Sequence, residues 1–255
     1  MTGLTAIVLA GSRPGRDAFA EQYGTDLKAL IPVAGEPMVR RPVEALLASE
    51  GVGPIRVLAQ QPERIAAVLP ENPRISVGRS GDTIAATLEA FCFDPSIEWP
   101  MLVTTADHAL LTPAMIADFL VKAEGADIAI GVVGREALLK RLPQTKRTWL
   151  RFRGGAYSGA NLFLLGSPKI RSTLELWRSS EQNRKKAWRM LLVIGLVGFL
   201  GSVLRVRTIQ QTVDSVGRRL GLAIRAVELS DPLAAVDVDK SADHELVTAI
   251  LEGRA

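Results

Sequence analysis

The strand-like run LTAIVLA empties directly into GSRPGRD, a loop with two glycines and two arginines. Glycine lets a backbone come close to a ligand. Converging N–H groups beside arginine side chains are the groups that hold phosphate oxygens. The loop lacks the G-K-[ST] ending of a Walker A motif and the G-x-G-x-x-G of a dinucleotide fingerprint. Taken alone, it fits a basic surface turn equally well. Lys28 follows in TDLKALIPVAGEPMV, ahead of a tight turn. Carboxylates then recur at two places. Asp107 closes MLVTTAD at a strand's carboxyl end, while Asp237 and Asp239 alternate in a strand in AVDVDKSADHELV and so share one face. Phosphoryl chemistry calls for a metal to bridge phosphate oxygens, and Mg²⁺ prefers one or two carboxylates plus water and substrate oxygens.

Such residues must be carried to one place by the elements around them. Apolar runs of strand length alternate with helical patterns. Helices are predicted over 39–49, briefly after Pro62, from an Asp82 cap through Phe93, and from a Thr112 cap with Pro113 in its first turn. Strands are predicted over 55–59, 74–78, 101–107 and 126–134. This alternation predicts an α/β fold of three layers, a mostly parallel sheet with helices on both faces. The continuous hydrophobicity of the strands agrees, because such strands are covered on both sides. Ligands of open α/β sheets bind at the carboxyl edge of the strands, where the loop and Asp107 would both stand. Later, a strand is predicted over 161–165, a long helical region over 169–220, a strand over 223–229, and a closing helix capped by Ser241 or Asp243.

Composition narrows the classes. A chain of 255 residues, 47% hydrophobic and 23% charged, can bury a full core as one domain with or without an inserted part. A net charge of +4 and 5% aromatic residues argue against a nucleic-acid partner. The single cysteine, Cys92, excludes an internal disulfide and lies in LEAFCFD as a core thiol. The start of the chain has no basic n-region and its apolar run stops at strand length, which predicts no signal peptide and a cytoplasmic location. The uncharged run MLLVIGLVGFLGSVL, 190–204, is short of the roughly 20 residues of a span. It reads foremost as a buried or dimer-interface helix. The second reading is a helix in the membrane interface at the inner face, with Arg184, Lys185, Lys186 and Arg189 toward lipid phosphates.

The stretch LAGSRPGRD, then Lys28, then LIPVAGEPMV resembles the N-terminal signature of GT-A fold nucleotidyltransferases, L-A-G-G-x-G-x-R-(M/L)-G followed by a lysine and L-x-G-x-P-(M/L). It is most similar to the MobA-like NTP transferase branch. In this sequence Ser12 follows Gly11, Arg13-Pro14-Gly15-Arg16 replaces the usual arginine step, and DAFAEQYGTD is inserted before the lysine. The resemblance implies that Leu9, Ala10, Gly11, Ser12 and Gly15, with Arg13 or Arg16, hold the tail phosphates of an NTP, and that Lys28 sits by the α-phosphate. MLVTTADHALLTPAMI is similar to the family's strand-C-D-x-P-x-(L/I) motif, with Ala106 and Ala109 in place of cysteine and proline, and makes Asp107 the first metal ligand. AVDVDKSADHELV is similar to the closing D-(I/V)-(N/D)-T-P-E-D-L motif and adds Asp239, with Asp237 as second choice. VGRSGDTIAATLEAF resembles the base-reading loop and nominates Arg79, Ser80, Gly81 and Thr83, while GAYSGANLFLL resembles the acceptor-side strand and nominates Gly159 and Asn161. The family chemistry requires neither His108 nor His244.

The implied protein is a Mg²⁺-dependent enzyme that transfers NMP from an NTP to a phosphorylated small-molecule acceptor. The basic run 135–153, with Arg135, Lys140, Arg141, Lys146, Arg147, Arg151 and Arg153 against Glu136, is a candidate for binding that acceptor. The core would be 1–168 with 221–255, and 169–220 an added helical part, with 184–207 the candidate membrane contact and a homodimer the candidate assembly. Two readings compete: a GT-A glycosyltransferase using a finished nucleotide sugar, and a non-catalytic membrane-associated nucleotide-binding protein.

Overall fold

The computed structural model describes residues 3–11, 15–81, 83–94, 97–175 and 207–254. Strand β1 (Leu4–Leu9) opens the chain, and helix α1 (Ala18–Glu21) follows the loop. A 3-10 turn at Lys28–Leu30 leads to a small hairpin, β2 (Pro32–Val33) and β3 (Glu36–Pro37), and to α2 (Arg40–Leu47). Then come β4 (Val52–Ala59), α3 (Pro62–Ala66), β5 (Ile75–Arg79), α4 (Ile84–Phe93), β6 (Met101–Thr105), α5 (Pro113–Lys122) and β7 (Ile128–Gly134). Helix α6 (Arg135–Arg141) precedes β8 (Leu150–Phe152) and β9 (Gly155–Leu165). After these, 171–175 are helical, and α7 (Ile209–Leu220), β10 (Ile224–Glu228) and α8 (Ser241–Leu251) follow.

The main sheet runs β10-β7-β9-β6-β1-β4-β5, with β8 paired on β9. Strand β1 lies parallel to β4 and β6, β4 to β5, and β7 to β10. Only β9 reverses among these paths, running antiparallel to β6, β7 and β8. Side chains alternate between two cores. Ala6, Val8, Val57 and Leu102 pack on one face with α2, α5 and α8, through residues such as Val43, Phe119 and Val247. Ile7, Leu58, Met101 and Val103 pack on the other with Leu88 and Cys92 of α4. Both faces are covered, which is why the strands read as unbroken apolar runs.

Two predicted caps are corrected. Helix α4 is capped by Thr83, whose hydroxyl accepts the Ala86 N–H at 3.1 Å, and Asp82 lies outside the described residues. Helix α8 begins at Ser241 after Lys240, so Asp243 stands in its first turn and accepts the Asp239 N–H instead. Strand β9 starts six residues before the predicted 161, in the glycine-rich GGAYSGA segment, because pairing with β8 and the end of β7 replaces an apolar run as its cause. Of the predicted helical region, Ile209–Leu220 covers the sheet edge. Gln210 on α7 accepts the Ala226 N–H at 3.1 Å and donates to the Ile224 carbonyl at 3.2 Å, so it satisfies backbone groups of the edge strand β10. The 190–204 run and the four basic residues before it lie outside the described residues. Among the described residues no helix is long and apolar enough to cross a membrane.

Candidate active site

The ends of β1, β4, β5 and β6 meet at one edge. The Ala10 N–H bonds the Leu58 carbonyl at 2.8 Å, the Ser80 N–H bonds the Ala59 carbonyl at 2.9 Å, and the Ala106 N–H bonds the Leu9 carbonyl at 2.9 Å. Asn161 reaches the same edge because β9 is antiparallel, with Leu162 in register with Thr104. Its backbone is left-handed, with φ of 46°, where β9 shifts register against β7.

Leu9, Ala10, Gly11, Lys28, Ala106 and Asp107 line a narrow cleft of about 30 Å³ at this edge. A wider open groove of about 630 Å³ lies at the opposite edge, among Leu4, Pro100, Leu120 and Leu164, away from these residues. Lys28 is delivered by its 3-10 turn, whose neighbours Leu27 and Ala29 are buried. The Lys28 ammonium donates to Asp107 Oδ2 at 2.7 Å and to Asp239 Oδ1. Burial opposes its charge, but the two carboxylates outweigh that and hold its pKa above the usual lysine value. Asp107 is fixed from both sides. Thr105 Oγ1 donates to its Oδ1, and its carbonyl accepts the Val238 N–H at 3.1 Å. That backbone bond ties the C-terminal segment to the end of β6 and brings Asp239 in.

The 236–239 segment does not form the predicted strand, and Asp237 has other partners than Asp239. Arg147 donates to its Oδ1 and, at 3.1 Å, to its carbonyl, while Asn161 Nδ2 donates to its Oδ2 at 3.1 Å. Burial, with Asp239 and Asp107 nearby, pushes its carboxyl above the usual range against the pull of Arg147. Both carboxylate oxygens of Asp237 are thus engaged by protein groups, and the pair that converges on one cation is Asp107 with Asp239.

The remaining sequence-predicted residues divide. Gly15 has φ of 109° and Arg16 is exposed and paired with Glu21, while Ser12 and Arg13 lie outside the described residues. Arg79 is exposed at the end of β5, and the Ser80 hydroxyl is buried with no hydrogen-bond partner among the described residues. The Gly81 N–H bonds Thr87 Oγ1 at 2.9 Å, and Thr83 caps α4. These four share the carboxyl edge with Lys28 but not its hydrogen bonds. Gly159 is exposed, with open space where a Cβ would sit.

Both histidines have packing roles. His108 is fully buried, and burial drives its pKa down to about 4 against the pull of Asp107 and the Ala234 backbone. Thr104 Oγ1 donates to the Asn161 carbonyl at 2.9 Å, so its 3.3 Å contact with His108 Nδ1 makes that nitrogen the donor. His244 lies against the Tyr23 ring and its Nε2 donates to the Pro32 carbonyl at 2.7 Å. Cys92 is buried, and burial pushes its thiol up to about 12.

Sequence reasoning missed three side chains here. Arg147 was one cation in a basic run, and only the fold shows it buried on Asp237. Thr105 was hidden within a strand. Gln60, just past β4, stands over Gly11, where an added Cβ would meet its side chain at 3.1 Å. The strand end preceding Gln60 was the available signal.

A family model for the MobA-like NTP transferase domain matches residues 6–192. No curated protein matches the chain. Among solved structures, a hypothetical transferase from Thermus thermophilus is similar with a TM-score of 0.79 and 32% identity, over 96% of this chain and 100% of that one. The 4-diphosphocytidyl-2C-methyl-D-erythritol synthase of Anaerococcus prevotii gives 0.63 at 10% identity, over 98% and 96%. The 2-C-methyl-D-erythritol 4-phosphate cytidylyltransferase of Thermus thermophilus gives 0.53 at 15%, over 99% and 100%. At such identities these last two establish the fold alone. The family match spans the β1 loop, Lys28 and Asp107, and the chain therefore belongs to the MobA-like NTP transferase family and is a nucleotidyltransferase.

Proposed function

We propose that the protein is a Mg²⁺-dependent nucleotidyltransferase that passes the NMP of an NTP to a phosphorylated small-molecule acceptor and releases pyrophosphate. The observation that carries this reading is the convergence of Asp107 and Asp239 on one cationic group at the carboxyl edge of the sheet, beside the β1 loop. Two carboxylates already spaced around an ammonium are a hard-oxygen donor set that fits Mg²⁺, so Asp107 and Asp239 are the residues that would hold it. When bound, the ion neutralises phosphate oxygens and aligns them for displacement.

Around it, Leu9 and Ala10 line the cleft, and Gly11, with Ser12, Gly15 and Arg13 or Arg16, cradles the tail phosphates. Lys28 meets the α-phosphate, where charge develops. A phosphate oxygen of the acceptor attacks the α-phosphorus as the bond to the bridging oxygen breaks. That oxygen leaves with pyrophosphate, and no covalent enzyme intermediate is required. Arg79, Ser80, Gly81 and Thr83 stand on the base side, and Gly159 and Asn161 on the acceptor side. Because one solved neighbour is named as a cytidylyltransferase, CTP is the first nucleotide to try.

The test is thermal unfolding with ATP, GTP, CTP and UTP, with and without Mg²⁺, on the wild type and Asp107→Ala. One NTP is expected to stabilise the wild type only with Mg²⁺, by about 2.7 kcal/mol at 100 times its Kd, and to leave Asp107→Ala unmoved. Stabilisation by a nucleotide diphosphate sugar, with none by any NTP, would replace this reading with the glycosyltransferase one.

A further inference from the structure

Asp107 and Asp239 are separated by about half of the chain, yet an oxygen of each bonds the Lys28 ammonium. Two carboxylates drawn together repel unless a cation or a shared proton lies between them. Among the described residues the positive groups in reach are Lys28 and Arg147. Arg147 is committed to Asp237, with Asp243 at 3.9 Å. Lys28 is therefore the cation that bridges the pair. Its anchoring is uneven. The main chain is held by the 3-10 turn between buried neighbours, but the four-carbon side chain turns about its own bonds and borders the open cleft. Asp107 is fixed by Thr105 and by the Val238 N–H, whereas the Asp239 side chain is 62% exposed and gives solvent ions a way in.

We propose that Lys28 is a stand-in cation: in the free enzyme its ammonium occupies the seat between Asp107 and Asp239, keeps the two carboxylates converged, and shuts out a divalent metal until a nucleotide's polyphosphate gives the ammonium a new partner. The inference rests on the metal-dependent reading above and adds the order of events to it. An ammonium and a divalent cation repel in one seat, so one leaves as the other enters. The phosphates supply the negative charge that draws Nζ across the cleft, and they share the incoming metal with the vacated carboxylates. Metal and nucleotide thereby raise each other's affinity, and that coupling is reciprocal.

The test uses Mn²⁺ alone, titrated without nucleotide and read as free Mn²⁺ by electron paramagnetic resonance. Wild type, Lys28→Met, Lys28→Arg and Lys28→Met combined with Asp239→Asn are compared after circular dichroism confirms folding. Lys28→Met is expected to bind Mn²⁺ about tenfold or more tighter than wild type, within the usual range of site coupling. Lys28→Arg, which keeps a cation in the seat, is expected to stay with wild type, and Asp239→Asn to abolish the gain. Should Lys28→Met fold poorly, Lys28→Gln carries the same comparison. Equal Mn²⁺ binding by wild type and the neutral variant overturns the proposal, and so does tight binding by Lys28→Arg. Because this readout needs no NTP, absent Mg²⁺-dependent stabilisation by every NTP would count against the transferase reading alone. Unchanged Mn²⁺ affinity beside Mg²⁺-dependent stabilisation by one NTP would count against the stand-in alone.

Discussion

Asp237 shows how far a single residue's surroundings redirect its chemistry. In the sequence it alternates with Asp239 and is the second choice for the metal. In the fold it anchors Arg147, which is nearly buried, and holds the Asn161 amide. Removing one partner of such a pair leaves a buried charge uncompensated, which costs about 3–5 kcal/mol, while removing both costs far less. Arg147→Met should therefore destabilise by about 3 kcal/mol in urea unfolding, and adding Asp237→Asn should recover a large part of it. Additive losses across that double-mutant cycle would show that the two side chains do not act as a unit. Lys28 and Asp107 differ from Asp237 in legibility. Each stands beside a local punctuation, a tight turn or a strand end, that marks it before any fold is known. Arg147 has no such mark, because nothing in a run of basic residues tells which one is buried.

At the scale of elements, the turn between β2 and β3 stores avoidable strain. Its central residues, Ala34 and Gly35, both have positive φ, 48° and 82°. A two-residue hairpin of this kind favours Asn-Gly, and an L-residue with a Cβ in the left-handed region costs about 1–2 kcal/mol unless it is Asn or Asp. Ala34→Asn should raise stability by about 0.5–1 kcal/mol, seen as a higher urea midpoint at unchanged slope. A lower midpoint would mean that the Ala34 methyl group packs where an amide cannot. The turn matters to the site, since it follows Lys28 and its Pro32 carbonyl receives His244 of α8. One turn earlier on that helix, Ser241 donates to Gln22 Oε1 at 2.8 Å, so the inserted DAFAEQYGTD segment braces the start of α8 beside Asp239. Helices α2 and α5 and the strands around them were legible because their periodicity is local. The β8–β9 pairing was not, because its glycines and small polar residues form strand only against a partner.

For the whole molecule, the two cores and the buried His108 set how stability responds to pH. The native pKa of His108 is about 4, below the ordinary value of 6.5, because burial disfavours the charged ring. Between those values the unfolded chain takes up the proton and the folded chain does not. The resulting contribution is present above pH 6.5 and is lost as pH falls through 4. It amounts to at most about 3 kcal/mol. Urea unfolding of wild type from pH 7 to 4 should show that decline, and His108→Gln should flatten it. An equal slope in the variant would assign the decline to the carboxylates instead.

What the sequence determined by itself was the β-α alternation, the two-faced burial of the strands, the loop after β1, Lys28, and the two acidic segments. All are encoded in short windows, through side-chain periodicity and turn chemistry. Only the tertiary structure decided that β9 runs antiparallel and so brings Asn161 to the ligand edge. It alone decided that Arg147 and Asn161 take up Asp237, and that Lys28 stands between Asp107 and Asp239. Those outcomes depend on strand order and on one backbone hydrogen bond from Val238 to Asp107. Contacts between segments so far apart in the chain arise from packing, which no local window contains.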